Sequence, residues 1–315
     1  MALGSDHLTT SIAGNFIPEL WSDEVIGAYK SNLVIANLVT KLSHKGKKGD
    51  TIHIPVPSRG TASAKVAETQ VTLLASTNSV INVSIDQHYE YSKLIEDIAE
   101  VQSLASMRKF YTDDAGYALA KQVDTKLGTL WEGLQGGTVG GSDAASWETA
   151  YTINSGDTAL ELYTGNASNA RDITDVAIRA LNLKLDDADV PMDNRSLIIP
   201  PIAANDLLGI NRFTEQQYIG SGDAIATGKI GMIYGADVYI SSNCPTASDS
   251  TAPYNTDRVG VLLHKDALVL AEQLGVRSQT QYKQEYLGDL FTSDTIYGVA
   301  ELRNDAGVAF VVPAS

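Results

Sequence analysis

The sequence predicts an α+β chain organised around one long helix, and three observations carry that expectation. Between Asp97 and Leu134, apolar or small residues recur at Ile98, Val101, Ala105, Tyr111, Ala115, Leu119, Val123, Leu127, Trp131 and Leu134. The steps are mostly three or four and no proline interrupts them, which draws a single buried stripe down a helix. Ahead of this stretch, residues alternate strictly between apolar and polar; behind it, from Asp172, helix and strand patterns alternate before long strands return.

The helix has its own boundaries in the sequence. Asp97 with Glu100 has the form of a capping box, and Gly136-Gly137 supplies a stop. At 1.5 Å per residue it would extend roughly 55 Å, long for a compact domain, so it requires cover from other segments or other chains.

The remaining elements follow in order. Residues 1–17 are small and polar without periodicity. Pro18–Lys30 predicts a short amphipathic helix with Leu20, Trp21, Val25 and Tyr29 apolar. A strand at TIHIPVP is restricted to a sheet edge by Pro55 and Pro57. Ile81–Tyr91 alternates as a second strand, with Ile81, Val83, Ile85, Tyr89 and Tyr91 on one face, and the two make a long hairpin. An isolated hairpin is marginal in water, so it must lie on something else. Residues 136–170, rich in Gly, Ser, Thr and Asn, read as a surface excursion with a short hairpin around Tyr151 and Leu162. A helix opened by Asp172-x-x-Asp175 runs through Leu185, a buried strand covers Ser196–Ile199, and a further helix lies in IAANDLLGI. Short strands follow at Ile230–Ile233, Ala236–Ser241 and Arg258–Leu263, then a helix at Lys265–Gln273. Long strands at Arg277–Tyr286 and Thr295–Arg303, and one at Val308–Val312, close the chain.

Composition narrows the function classes. The 315 residues carry 43% hydrophobic and 19% charged side chains, with no apolar run long enough to span a bilayer and no signal-peptide pattern at the start, which places folding in a cytoplasm. A net charge of −15 argues against broad nucleic-acid binding, whose affinity comes from Lys and Arg on phosphates. The one basic cluster, Lys41, Lys45, Lys47 and Lys48, reads as a solvated turn or as a contact with an acidic neighbouring subunit. The single Cys244 excludes an internal disulfide.

The constellations that catalysis requires are missing, and no enzyme, cofactor or metal is expected. Gly222–Lys229 only superficially resembles a phosphate loop, because the glycines are misspaced and Ile230 stands where a hydroxyl would hold magnesium. Asp186, Asp187, Asp189 and Asp193 form the best cation candidate, but they lack the glycine and twelfth-position glutamate of a calcium loop, and a solvated helix end accounts for them. The five histidines fall in five separate segments. Cys244 has no basic neighbour in sequence to activate it.

Several stretches in order resemble the major capsid proteins of tailed phages with the Hong Kong 97-type fold. They are GDTIHIP, SIDQHYEYSKLIEDIAEVQS, LDDADVPMDNRSLIIPP, GKIGMIYGADVYISSNCP, LLHKDALVLAEQ and YLGDLFTSDTIYGVAELRNDAGVAFVV, spread over residues 18–312, and the resemblance is nearest to marine and T7-like podophage subunits. It implies an N-terminal arm (1–41), an extended loop lying across a neighbour (42–92), a peripheral domain with the spine helix and the Gly-rich excursion (93–170), an axial domain (171–276) and return strands (277–315). It further implies pentamers and hexamers of this one chain tiling an icosahedral shell around double-stranded DNA, with no sequence-specific binding and no membrane. A separate scaffolding protein, a portal protein and a decoration protein are the further partners it implies. The virion is its expected location, after assembly in a bacterial cytoplasm. Interface residues expected on this basis are Trp21 and Tyr29 in the arm and Lys45, Lys47, Lys48, Arg59 and Lys65 in or beside the loop. An encapsulin-like compartment around protein cargo is the alternative that shares the fold.

Overall fold

A computed structural model describes residues 34–43, 49–56, 60, 62, 64–65, 67–68, 70–71, 73, 79–98, 107–135, 147, 150–163, 170–210, 231–247 and 257–313. Two sheets and one long helix dominate. A four-stranded sheet has the order β1 (Thr40–Ser43), β11 (Leu268–Lys283), β12 (Gly288–Glu301), β4 (Gln87–Glu96). A seven-stranded sheet has the order β6 (Leu160–Leu162), β5 (Tyr151–Ile153), β13 (Gly307–Val312), β10 (Arg258–His264), β7 (Arg195–Ile199), β9 (Ala236–Ile240), β8 (Met232–Ile233). The hairpin of β2 (Thr51–Val56) and β3 (Ser79–Ser84) is a two-stranded sheet of its own, so Pro55 does sit on a strand with one free edge.

The four-stranded sheet is covered on both faces because its strands alternate. Leu270 and Tyr297 face the main core, which also holds Leu127 and Trp131 from the long helix α2 (Met107–Thr129) and its following turn. Val269 and Ala271, one position away, face a second cluster with Val83 and Ile85 of the hairpin, joined by Leu42, Ile52, Ile54, Ile296 and Ala300. The base of the hairpin is therefore buried by its own chain, with Val83 fully buried, and does not wait for a neighbour as the sequence suggested. The strand expected over Ile81–Tyr91 is two strands. Its alternation continues, but β3 pairs with β2 while β4 leaves to pair with β12.

Helix α2 carries the expected stripe: Ala115, Leu119, Leu127, Trp131 and Leu134 are buried. Two expectations fail at its ends. Ile98 is 69% exposed, although the period placed it on the stripe. The helix closes at Thr129 with one tighter turn over Leu130–Gly133, short of Gly136-Gly137. Tertiary pairing ends it there: Leu134 is extended and the Gln135 N–H donates to the Gly307 carbonyl at 2.9 Å, which draws the chain into the sheet. Glu100 of the expected capping box, the Pro18–Lys30 segment and Gly222–Lys229 lie outside the described residues.

Three further expectations are corrected. The segment Lys265–Gln273 is not an α-helix but a short 3-10 turn (Lys265–Ala267) leading into β11. Leu268, Val269, Leu270 and Ala271 are all buried between β1 and β12, and an apolar run covered on both faces has no period by which sequence separates strand from helix. Helix α3 (Asp175–Asp187) is capped by Thr174, whose hydroxyl accepts from the Ala177 N–H at 3.2 Å, rather than by Asp172. Within residues 136–170, the hairpin at Tyr151 and Leu162 forms as expected, but it extends the seven-stranded sheet, and Trp147, Ile153 and Tyr163 are core rather than surface.

Two buried polar groups hold segments together. Asp124 on α2 is 1% exposed, and its carboxylate accepts from the Ile35 N–H (3.3 Å) and the Ala36 N–H (2.9 Å), fastening the short helix α1 (Ile35–Leu38). Burial raises the Asp124 pKa despite these bonds. A carboxyl whose folded pKa lies above its unfolded value favours folding most at low pH, and that contribution is lost as pH rises through the folded pKa. Asp124→Asn should therefore remove part of the decline in stability above about pH 4, seen by denaturant titration across pH.

Arg195 is 2% exposed, and all three nitrogens of its guanidinium donate hydrogen bonds. It donates to the carbonyls of Pro191 (3.0 Å) and Val190 (2.7 Å), to Asn182 Oδ1 (3.3 Å) and to Asp186 Oδ1 (2.7 Å), joining α3, β7 and the loop between them. Arg195→Met strands those acceptors and should cost about 3 kcal/mol in urea unfolding. Asp186→Asn, at a carboxylate 39% exposed, should cost under about 1 kcal/mol.

Candidate subunit-interface surface

No catalytic centre assembles among the described residues. No group of three or more His, Cys, Asp or Glu stands ready to hold a metal there, and Asp186 of the acidic run is paired with Arg195. Cys244 is buried, and burial pushes its thiol up to about 12, so it is not a nucleophile at neutral pH. His53 bonds Asn82 across the hairpin at 2.6 Å, His88 contacts Asp294 at 3.3 Å, and the His264 ring accepts from the Asp266 N–H at 3.2 Å. Each of these is explained by local structure. No described helix is long and apolar enough to cross a membrane.

What the fold does display is apolar side chain without cover, in places where strands project beyond the core. The β2–β3 hairpin carries Val71 (61% exposed) and Leu73 (89%) on its connecting loop and Val80 on β3. The far end of β11 and β12 carries Tyr282, Tyr286 and Leu287, next to Leu94 and Ile98. Pairing fixes that end: the Tyr282 hydroxyl donates to Asp97 at 3.0 Å, and the Asp97 N–H to the Leu287 carbonyl at 3.0 Å. Exposed apolar groups of this kind mark association surfaces in soluble proteins. Midway along β11, a register break between Leu274 and Arg277 aims the Arg277 guanidinium at Asp294, at 2.9 and 2.7 Å. That guanidinium holds the Asp294 carboxyl below the usual carboxylate pKa.

Comparison with known proteins places this architecture. No family model matches the sequence, and no curated protein sequence matches it either. Solved structures match over nearly the whole chain. A chain of Mycobacterium phage Che8 is 25% identical, with a TM-score of 0.72 over 94% of this chain and 97% of that one. The capsid structure of cyanophage P-SCSP1u has a TM-score of 0.73 at 19% identity, covering 99% and 97%. The mature capsid of bacteriophage PhiM1 has a TM-score of 0.67 at 16% identity, covering 94% and 91%. The fold is that of a tailed-phage capsid subunit.

Within this capsid fold, Lys65 is exposed on the loop between β2 and β3. Trp21, Tyr29, Lys45, Lys47, Lys48 and Arg59 lie outside the described residues. The aromatic and apolar end of the β11–β12 hairpin is the part of the candidate surface that sequence reading missed. Its signal was present as YLGDL, two large apolar residues at a glycine turn between long strands, but a turn read in isolation does not disclose that its side chains lack cover.

Proposed function

We propose that this chain is the major capsid protein of a tailed phage, a non-catalytic building block of the icosahedral head that encloses the double-stranded DNA. The observation that carries this reading is the match of nearly the entire chain, both sheets and the projecting hairpin included, to phage capsid structures. An encapsulin-like compartment is not favoured, since the structures compared are phage or GTA-particle chains.

In this reading the chain closes head-to-tail into pentamers and hexamers, because one surface of each copy meets a different surface of the next and the rotation closes. Residues 42–92 serve as the loop across a neighbouring subunit, with Lys45, Lys47, Lys48, Arg59 and Lys65 facing acidic surface there. With a net charge of −15 per subunit, copies repel one another at long range, and basic residues on the reaching loop offset that repulsion where contact is made. Residues 1–41 serve as the arm, with Trp21 and Tyr29 as anchors, 93–170 and 277–315 as the peripheral domain and 171–276 as the axial domain. A separate scaffolding protein, a portal and a decoration protein are the partners this role calls for. DNA inside the head is held without sequence readout, which agrees with the acidic composition.

Negative-stain microscopy with a mass measurement tests the proposal, on the purified chain alone and co-expressed with scaffolding protein. Closed shells, rings or sheets of this chain are expected. A folded monomer in every condition would overturn it.

A further inference from the structure

An open cleft of about 290 Å³ lies where α1, α2, β1, β11 and β12 meet, and its lining is of mixed character. Leu119, Val123, Leu270 and Val276 supply apolar wall, while Asn37, Lys41, Asp124, Glu272, Thr295 and Tyr297 bring polar groups to it. Some of these are engaged locally: the Lys41 ammonium donates to Asn37 Oδ1 at 3.0 Å, and the Thr295 hydroxyl donates to the Leu274 carbonyl at 3.0 Å. Two buried groups are left short. Tyr297 is 1% exposed, and its hydroxyl has no hydrogen-bond partner among the described residues, which costs free energy until a partner arrives. Asp124 is also 1% exposed. Burial raises its pKa more than the backbone N–H bonds and the Lys41 charge lower it, so its ionised form is incompletely compensated.

One kind of group answers both shortages. An ammonium donates hydrogen bonds, which the phenol oxygen of Tyr297 can accept, and it carries the positive charge that Asp124 lacks. The lining favours that sign, because Asp124 and Glu272 set two carboxyl groups against the one ammonium of Lys41. An anion of the same shape would meet those carboxylates, and a neutral alcohol would serve Tyr297 alone. The four apolar side chains suit a methylene chain attached to the nitrogen, as they would the stem of a lysine. Ligand pockets begin near about 300 Å³, so the cleft takes a molecule of a few carbons rather than a large cofactor. We infer that this cleft binds a small primary aliphatic amine in its ammonium form, with the nitrogen directed to Asp124 and the Tyr297 hydroxyl and the chain laid along Leu119, Val123 and Leu270. The site is built within one subunit, so it stands or falls apart from the shell reading.

Titration calorimetry on the full-length chain near neutral pH tests it with three probes of one length: n-pentylamine, 1-pentanol and pentanoate. Saturable binding of one pentylamine per chain is expected, at least roughly tenfold tighter than either of the others. Tyr297→Phe removes a single oxygen that has no partner to strand, and it keeps the ring that stacks on Tyr89 at 6.0 Å. That variant should fold as the parent does and bind pentylamine roughly fivefold more weakly, the loss of one hydrogen bond. Asp124→Asn should weaken binding by roughly tenfold or more, with circular dichroism confirming the fold. Thr292→Ala, away from the cleft, should leave the affinity unchanged. Equal affinity for the three probes, heat that does not saturate, or pentylamine binding indifferent to Tyr297→Phe would each overturn the inference.

Discussion

Gly298→Ala should destabilise the subunit by about 3 kcal/mol, the upper range for overpacking a tight site. Gly298 lies on β12 opposite Ala271, on the face that the β2–β3 hairpin covers. A methyl group built there would sit 2.2 Å from the Ser84 carbonyl oxygen, 2.9 Å from its carbon and 3.0 Å from Ile85 Cα. All three are backbone atoms, so no rotamer change relieves the contact. The hairpin would have to lift, uncovering Val83 and Ile85, which are now 0% and 8% exposed. Urea unfolding measures the loss, and limited proteolysis should cut first between residues 57 and 78. Thr292→Ala, on an exposed part of the same strand's register with Ser92, serves as the control and should shift the midpoint by less than about 0.5 kcal/mol. An unshifted midpoint for Gly298→Ala would show that the hairpin is not seated on this floor in solution.

The second large effect is on assembly and not on folding. Val56 pairs with Ser79 at the end of the β2–β3 ladder, so removing Ser58–Thr77 leaves Pro57 and Asn78 as a two-residue connection across an existing pair. Changing these to Asn-Gly supplies the turn whose twist suits a hairpin. The described residues of the deleted loop are exposed, Val71 at 61% and Leu73 at 89%, so their loss removes little that the subunit itself buries. The seat of the hairpin, Val83 and Ile85 on Val269 and Ala271, is untouched. The subunit should melt within about 4 °C of the full chain, the shift that corresponds to roughly 1 kcal/mol or less, yet form no shells under conditions where the full chain does. Normal shells from the shortened chain would show that the loop is dispensable for assembly.

These two expectations divide the labour of the hairpin. Its base is a structural element of its own subunit, and the described residues of its loop are exposed. The deduction that an isolated hairpin needs support was correct as physics, but sequence could not say that the support comes from strands β11 and β12, far later in the chain. Leu42, Val83, Val269 and Ile296 meet only because β1, β11 and β12 are adjacent in one sheet.

Periodicity carried most of what was legible. The stripe on α2 and the alternation through Ile81–Tyr91 are local patterns, readable because one face of each element meets core and the other meets water, whereas β7 and β13 are buried at every position and were legible only as short apolar runs. The chain order of the quoted stretches was enough to suggest the capsid fold. Where both faces are buried, the pattern vanished: Leu268–Ala271 looked helical because no residue in the run is turned to solvent. Where a boundary depends on a distant partner, sequence placed it wrongly, as at Leu134, which leaves the helix to join the sheet beside Gly307. The candidate surface divides in the same way. Charged and aromatic residues of the arm and loop could be singled out by type, whereas the exposed end of β11–β12, the unpaired Tyr297 hydroxyl and the cleft beside it exist only once remote segments are packed, because exposure and hydrogen-bond satisfaction are properties of the assembled neighbourhood and not of any residue in the chain.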